Sequence, residues 1–456
     1  MEIRVSRQRT KGVSCQPQDI ERGVRQMLAD KVSGDLAGVW LLVAEHLRLG
    51  TWDLLCGWTR QPTERAEPRL ALQLVHEAAV CTTGIRAERT LHRRGGFELA
   101  NGLPFVAADT TIHGLLAERS LHDCRRLQVA LGKLRLASGH FQGKQLVIDP
   151  HRVRSHSRRR MRERSEKNGH RPVKMAQTFW VLDGHTKQPV CFTTATASRT
   201  VATATPELLD LAAEILQPGP ECILVLADTE HFVAQLLAEV QQRPCFDLLV
   251  PLPHQSAFRR QFQAIPETEF TRRWAGFATA KRCAQFHGRH QGTYWQFVER
   301  YGERRADWQF QGFGCTRDRD EVAALTEDYP NRWHIEEYFN GNQALGWHRA
   351  GTMNLNIRYG QMSLALIAQT VLQQLRTRLG EPYCIWDADH LARDLLFALE
   401  ADVRVKGDTI LVTYYNAPNA NLLRECYQDL PAKLAAENIR PEIPWLYGYK
   451  LDFQFR

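Results

Sequence analysis

The stretch Gln145-Leu146-Val147-Ile148-Asp149 is a short apolar run that ends in an acid, and it begins a long series of strand-like patterns. A bounded apolar run of this length predicts a buried strand. Further elements follow it in a regular order: a hairpin over 178–193 that turns at Asp183-Gly184, a helix over Pro206–Leu216, a strand over Cys222–Asp228, a helix over Phe232–Gln241 and a strand from Phe246. The alternation predicts a mixed α/β domain.

The regions around this domain have different patterns. The first 140 residues contain apolar positions at helical spacing, and we expect a helical, DNA-binding domain there. Aromatic-rich strand patterns interrupt the α/β domain. The predicted division is therefore 1–140, a helical N-terminal domain; 141–252 with 321–350, the α/β domain; 253–320, a β-rich insertion; and 351–456, a mostly helical region that contributes to dimerisation or DNA contact.

Composition excludes several classes of protein. The chain of 456 residues is 43% hydrophobic, and its longest tempting apolar run, 39–44, is far shorter than the roughly 20 residues of a membrane-spanning helix. The first residues lack the apolar stretch of a secretory signal, which predicts a protein of the prokaryotic cytosol or nucleoid with no membrane partner. Eleven cysteines include no C-x2-C pair, which argues against a disulfide framework and a zinc ribbon.

The positive charge of the chain is concentrated in one segment. Between His151 and Lys174 there are ten Lys or Arg residues and two Glu residues, an excess of eight that equals the formal net charge of +8 for the whole chain. The basic residues include Arg152, Arg154, Arg158, Arg159, Arg160, Arg162 and Lys174. Such a run can be a solvated loop, but its density favours contact with the phosphate backbone of DNA.

Three acids stand out as candidate metal ligands. Asp149 and Asp228 each end a predicted strand, and Glu336 lies on a predicted helix 108 residues after Asp228. Carboxylates that are brought together repel one another unless cations lie between them, and Mg²⁺ or Mn²⁺ prefers such oxygen ligands. The pattern predicts a site for two ions that would support displacement at phosphorus.

The segment Tyr329-Pro330-Asn331-Arg332-Trp333-His334-Ile335-Glu336 places a tyrosine, an arginine and a carboxylate along one side of a predicted helix that begins at Pro330. This Y-x2-R-x3-E spacing, inside R-W-x-I-E, resembles the signature of insertion-sequence DDE transposases. The resemblance covers roughly residues 144–345. It implies an RNase H-like mixed sheet flanked by helices, which agrees with the order of strands and helices above, and it selects Glu336 rather than Glu337.

The resemblance also implies partners and residue roles. Relatives of this kind cut and paste a DNA element, and we expect double-stranded DNA, terminal inverted repeats, target DNA and a homodimer on DNA. Tyr329 and Arg332 would hold phosphates near the scissile bond. An aromatic residue of the insertion, with Trp295, Trp274 and Trp308 as candidates, would stack on a displaced base. The family motif ends in a lysine, whereas this chain has Gln343, which would make a neutral contact to DNA.

Alternatives remain open from the sequence. Arg332 and Glu336 could form an ordinary i,i+4 surface pair, Asp149 could begin a loop, and Asp228 could cap the next helix. Glu337 could replace Glu336 as the acid. At the level of function, the alternatives are a DNA-binding protein derived from a transposase and a metal-dependent nuclease without strand transfer.

The basic run generates a first prediction. Replacement of Arg158, Arg159 and Arg160 by alanine should reduce the slope of log K for DNA binding against log salt concentration by about 2 to 3. Fewer counterions are released on binding when three phosphate contacts are lost. Fluorescence anisotropy at a series of salt concentrations measures this slope. An unchanged slope would mean that these three arginines are only solvated.

Overall fold

The computed structural model describes residues 15–82, 91, 95–155, 162–164, 171–286, 292–347 and 354–456. Contacts within the chain group it into two compact units. One unit contains residues up to Leu131 and from Gly341 onward, and the other contains Gly132–Asn340. The second unit holds every strand that precedes residue 340 except the first.

The strands of both units are numbered in chain order. They are β1 (Val32–Gly34), β2 (Gln145–Arg154), β3 (Glu163–Arg164), β4 (Val173–Asp183), β5 (Pro189–Thr196), β6 (Ile223–Ala227), β7 (Phe246–Pro251), β8 (Thr271–Trp274), β9 (Phe277–Gln285), β10 (Thr293–Tyr301), β11 (Gln309–Cys315), β12 (Ala401–Lys406), β13 (Thr409–Tyr414) and β14 (Lys450–Phe455).

The centre of the second unit is a mixed sheet in the order β5-β4-β2-β6-β7. β2, β4 and β5 form an antiparallel meander, and β6 and β7 then add in parallel on the other side of β2. This order and these directions are those of an RNase H-like sheet. The fold class expected from the sequence, including the β-rich insertion and the helical flanking regions, is confirmed.

Several of the predicted elements differ in their bounds, two of them for a clear physical reason. The helix predicted over Pro206–Leu216 begins earlier, at Val201, because Thr200 caps its first turn through reciprocal hydrogen bonds with Thr203. β2 does not end at Asp149 as predicted, but continues to Arg154. β2 continues because β4 pairs with it from Leu146, opposite Asp183, as far as Arg154, opposite Met175.

The remaining helices of the second unit are short. They are Ala234–Gln241 between β6 and β7, Ser256–Gln263 in the insertion, Glu321–Ala323 after β11, and His334–Asn342, which runs to the end of the unit. The insertion strands extend the central sheet because β11 pairs antiparallel with β7 and is followed by β10, β9 and β8. Phe262 of the insertion helix packs with Leu252 and Val298 in a small apolar core.

The first unit is mostly helical, as the sequence predicts. Its helices before β2 are Pro17–Ala29, Val39–Leu49, Thr51–Thr59, Ala66–Ala79, Gly96–Ala100, Asp109–Ala117 and the first part of Leu121–Ala137. Those after residue 341 are Leu355–Leu379, Ala388–Leu391, Ala420–Tyr427 and Leu430–Ala436. A four-stranded sheet in the order β1-β12-β13-β14 completes the unit.

The hairpin of β4 and β5 shows how a buried acid can be purely structural. Asp183 is fully buried, and its carboxylate accepts hydrogen bonds from the backbone N–H groups of His185 (3.1 Å), Thr186 (2.9 Å), Gln142 (2.8 Å) and Gly143 (2.7 Å). These four bonds occupy both oxygens. Asp183 is therefore a turn residue, as predicted, and not part of the candidate site.

Two further findings concern the chain as a whole. Within the described ranges, no helix is long and apolar enough to cross a membrane. All eleven cysteines lie in the described part of the chain, and all are free.

The buried turn generates a second prediction. Asp183→Ala should lower the free energy of unfolding by about 3 kcal/mol, because it removes a buried carboxylate that four partly buried backbone N–H groups share as acceptor. Asp183→Asn should also destabilise the protein, since one amide NH2 would then face N–H donors. Urea denaturation measures both changes. The exposed variant Glu337→Gln serves as the control and should cost no more than about 1 kcal/mol.

Candidate functional site

Asp149 and Asp228 meet because β2 and β6 are parallel neighbours in register. Ile148 lies opposite Ala227, so the two acids are the next residues on adjacent strands. Neighbouring strands are about 4.8 Å apart, and residues at matching positions point to the same face of the sheet. Asp228 retains extended backbone angles (φ −81°, ψ 176°), which keeps its side chain on the face of Asp149.

Asp228 is held by the turn that follows it. Its Oδ1 accepts hydrogen bonds from the backbone N–H of Glu230 (3.1 Å) and from Nδ1 of the buried His231 (2.7 Å). Burial would raise the pKa of Asp228, but the bonds to His231, together with the charge of Arg332, lower it below its usual value. The cap role considered for Asp228 is thus real, and it leaves the other oxygen, Oδ2, available for a ligand.

Asp149 has the opposite electrostatic environment. Burial of its carboxyl group and the nearby charges of Asp228 and Glu336 raise the pKa of Asp149 to about 8, although Arg332 and Arg152 act in the other direction. Asp149 is therefore the residue on which the charges of the other two candidate acids act. Because repulsion among the carboxylates still raises this pKa, an additional cation near Asp149 would be stabilising.

The sequence predicts one helix from Pro330 that carries Tyr329, Arg332 and Glu336. In the structure this segment is not one continuous α-helix. Residues Ala324–Asp328 form a turn of π-helix, Tyr329–Trp333 form a 3-10 turn, and the α-helix begins at His334. We call the α-helix His334–Asn342 the motif helix. The early part is irregular because Pro330 has no N–H to donate to the preceding turn.

Tyr329 and Arg332 both lie at the acids. The Tyr329 hydroxyl donates to the backbone carbonyl of Ala227, next to Asp228, over 3.4 Å. Arg332 Nη2 is 3.1 Å from Glu336 Oε1. Although burial acts to lower the pKa of Arg332, Tyr329, Glu336 and Asp149 raise it above its usual value. The i,i+4 pair considered from the sequence does form, but it lies within the acidic cluster rather than on an ordinary surface.

Glu336 and Glu337 point in different directions. Glu337 points to the surface, where its carboxylate is 2.9 Å from Lys187 Nζ and about half of its side chain is exposed. The Lys187 hydrogen bond lowers the pKa of Glu337. Glu336, in contrast, acts electrostatically on Asp149.

The donor set is suited to a divalent cation, but its side chains are now engaged with protein cations. Across the residues that the structure describes, no three His, Cys, Asp or Glu side chains are grouped closely enough to hold a metal ion. Glu336 contacts Arg332, and Asp228 contacts His231. A cation between Asp149 and Asp228 would relieve the repulsion that raises the pKa of Asp149, so these carboxylates fit Mg²⁺ or Mn²⁺.

The candidate DNA contacts are spread along β2 and β4. Arg152 forms an ion pair with Glu230, and its Nε donates to Gln177 over 3.2 Å. Arg154 and Arg162 are exposed, while Lys174 is half-buried and pairs in register with Glu163. Arg158, Arg159 and Arg160 lie outside the described residues.

The candidate aromatic residues have different surroundings. Trp295 is half-buried, with Lys281 Nζ 5.5 Å from its ring centre. Trp308 packs against the Arg300 guanidinium at 3.8 Å. Trp274 stacks on Phe277 with the ring centres 4.3 Å apart, and at 50% exposure it is the most exposed of the three.

Gln343 does not continue the motif helix. That helix ends at Asn342, and Gln343 begins a 3-10 turn, Gln343–Leu345, in the other unit. The spacing predicts that Gln343 lies almost two turns beyond Glu336 on the same face of one helix, but the helix ends before this position. His348 and Arg349, which could supply the missing charge, lie outside the described residues.

Several residues at the site were missed from the sequence. His231 fixes Asp228, and Gln145, Asp328 and Asn331 form hydrogen bonds at the base of the segment that leads into the motif helix. Proximity in sequence to Asp149, Asp228 or Tyr329 was the one signal available for them. Trp333 is also notable, since it is 56% exposed and Arg332 lies 5.6 Å from its ring centre.

Comparison with known proteins identifies the family of the chain. The family model described as the transposase DDE domain matches residues 140–371, about half of the chain. Among solved structures, the chain is similar to a piggyBac transposase synaptic complex with hairpin DNA, with a TM-score of 0.41 and 12% identity over 81% of this chain and 82% of that one. A likeness this distant does not bear on function. No curated protein matches the chain.

The raised pKa of Asp149 generates a third prediction. The unfolded Asp titrates near pH 4, so the folded protein binds a proton between about pH 4 and pH 8 that the unfolded chain has released. The free energy of unfolding of the metal-free protein should therefore fall as the pH rises through this window, by up to about 1.4 kcal/mol per pH unit. Asp149→Asn should remove this contribution.

The measurement is urea denaturation in EDTA at pH 5, 6, 7 and 8. At pH 8, Asp149→Asn should be more stable than the wild type, and the difference should shrink toward pH 5. Parallel pH profiles for the two proteins would show that Asp149 carries no raised pKa.

Proposed function

Because this chain belongs to the transposase DDE-domain family, we propose that it cleaves DNA at the ends of a mobile element and transfers those ends to target DNA. Asp149, Asp228 and Glu336 would hold two Mg²⁺ or Mn²⁺ ions. The observation that carries the proposal is that the charges of Asp228 and Glu336 both act on Asp149. Together with burial, which has the largest effect, they raise the pKa of Asp149.

The three carboxylates have separate tasks in this proposal. The charges of Asp228 and Glu336 both act on Asp149. Asp149 would therefore contribute to the binding of both ions, with Asp228 as a ligand of one ion and Glu336 as a ligand of the other. Two divalent ions, when bound, would activate the attacking oxygen and stabilise the leaving oxygen of an in-line displacement at phosphorus. Asp228 would use Oδ2, since Oδ1 already accepts two hydrogen bonds.

Arg332 and Tyr329 would bind the scissile phosphate. Arg332 is a planar donor with several N–H groups, of which one now contacts Glu336, and it lies beside all three acids. Transfer of Glu336 to a cation would free the guanidinium for a phosphate oxygen. The Tyr329 hydroxyl, now bonded to a backbone carbonyl, can donate to a phosphate in the same place.

The DNA would extend from this site over the basic run. Arg152 and Arg154 lie three and five residues beyond Asp149 on the same strand, and Lys174 is on the neighbouring strand. We propose that this surface binds the terminal inverted repeats, with a homodimer bringing two ends together. The N-terminal helices and the residue Gln343 would add DNA contacts, and Trp295 or Trp274 would stack on a displaced base.

Two alternatives follow from the same residues. A protein that binds element ends without cutting them is favoured by Gln343, since the family motif has a lysine at this position. A metal-dependent nuclease without strand transfer would use the same three acids. Water as the nucleophile cleaves the strand, whereas a 3′-hydroxyl joins DNA, so the two products distinguish the nuclease from the transposase.

The proposal predicts the behaviour of three variants. Asp149→Asn, Asp228→Asn and Glu336→Gln should each reduce Mn²⁺-dependent cleavage of element-end DNA by more than about 100-fold, because each removes a metal ligand. DNA affinity should remain measurable. Glu337→Gln is the matched control and should cleave normally, since its carboxylate faces Lys187 at the surface.

The assay uses DNA that flanks the gene, where inverted repeats identify the ends. Gel analysis of labelled ends reports cleavage, and joining of a 3′-hydroxyl end to a plasmid reports strand transfer. Normal cleavage by any one of the three variants would remove that residue from the site. DNA binding without cleavage by the wild-type protein would favour the first alternative.

A further inference from the structure

The strand that carries Asp149 and the segment that carries Tyr329 and Arg332 are connected by the side chain of Gln145. Gln145 is the first residue of β2, four positions before Asp149, and it is 3% exposed. Its Nε2 donates to Asp328 Oδ1 over 3.0 Å, and its Oε1 accepts from Asn331 Nδ2 over 2.9 Å. The amide can bind in this orientation alone, because an ionised carboxylate only accepts hydrogen bonds.

The two partners of Gln145 are the residues that precede Tyr329 and Arg332. Asp328 immediately precedes Tyr329, and Asn331 immediately precedes Arg332. One amide group therefore attaches both the residue before the 3-10 turn Tyr329–Trp333 and the middle residue of that turn to β2. The hydrogen bonds of a 3-10 turn have poorer geometry than those of an α-helix, so the side-chain contacts of Gln145 help to set the position of this turn.

A second link runs through Gly184. The Gly184 N–H donates to the Gln145 carbonyl over 2.8 Å, and the Gly184 carbonyl accepts from His334 Nδ1 over 2.8 Å. His334 is the first residue of the motif helix. The backbone and the side chain of Gln145 thus act on successive parts of the same segment.

The fit around Gln145 is close. A Cβ atom added at Gly184 would be 2.7 Å from Gln145 Oε1 and 3.2 Å from its Cγ. Any larger residue at position 184 would therefore displace the amide from Asn331. Gly184 is required here by the close approach of the Gln145 side chain.

We propose that Gln145 is a positioning residue for the cleavage reaction, which holds the Tyr329–Glu336 segment at the distance from β2 that lets Arg332 and Glu336 act on Asp149. The inference rests on the proposed function. Gln145 acts through Asp328 and Asn331, since both polar atoms of its amide are used in these bonds. Its role is distinct from that of the three acids.

The effect of removing this amide can be estimated from similar supporting contacts. Gln145→Ala should reduce the single-turnover cleavage rate on saturating DNA by about 10- to 100-fold and weaken Mn²⁺ binding by about tenfold. The DNA dissociation constant should change less than about threefold, because Gln145 is buried. Gly184→Ala should reproduce the changes in rate and in Mn²⁺ affinity.

A pair of substitutions tests the hydrogen bond itself. Gln145→Glu places a carboxylate against Asp328 and should impair cleavage as strongly as Gln145→Ala. Adding Asp328→Asn restores a donor and an acceptor, with Asn now donating to Glu, and should recover at least tenfold of the loss. Gln296→Ala removes another fully buried glutamine of the same unit and is the control, with a rate near that of the wild type.

The measurements are single-turnover cleavage, calorimetric titration of the DNA-free protein with Mn²⁺, and thermal denaturation of each variant. Wild-type rate and Mn²⁺ affinity in Gln145→Ala would overturn the inference. So would a double variant, Gln145→Glu with Asp328→Asn, that is no better than Gln145→Glu alone. A wild-type protein that never cleaves DNA would instead refute the proposed function, while the Mn²⁺ titration would still report on Gln145.

Discussion

The in-register parallel pairing of β2 with β6 is the constraint on which the candidate site depends. Ile148 opposite Ala227 makes Asp149 and Asp228 neighbours, although 79 residues separate them in the chain. Parallel strands require a long crossover, and here the β4–β5 meander and the helix Val201–Leu216 provide it. A shift of one residue in this pairing would move one acid to the opposite face of the sheet.

The electrostatics of the site follow from this pairing. Asp149 is half-buried and repelled by the charges of Asp228 and Glu336, while Arg332 pairs with Glu336 and His231 contacts Asp228. These partners are themselves held in place, Arg332 by a segment attached to β2 through Gln145. Hydrogen bonds between uncharged side chains therefore contribute to the site together with the acids.

The insertion and the basic run show different relations to the sheet. β11 pairs with β7, so the insertion strands are an extension of the central sheet rather than a separate lobe of strands. This pairing places Phe313 of β11 4.8 Å from the Tyr329 ring and connects the insertion directly to the site. The first residues of the basic run, in contrast, lie on β2 beyond Asp149, as the pairing of Arg154 with Met175 shows.

The sequence by itself determined the order of the strands and helices and the turn at Asp183, and it singled out the three acids as candidates. It could do so because these features depend on local periodicity, turn chemistry and a motif with fixed spacing. The bounds of β2, the irregular turns before His334 and the end of the motif helix before Gln343 were decided by tertiary structure. So were the roles of Gln145 and His231, because a hydrogen bond between residues distant in the chain leaves no periodic pattern in the sequence. The raised pKa of Asp149 was also decided by tertiary structure, because it depends on carboxylates that are distant in the chain and that the fold brings near one another.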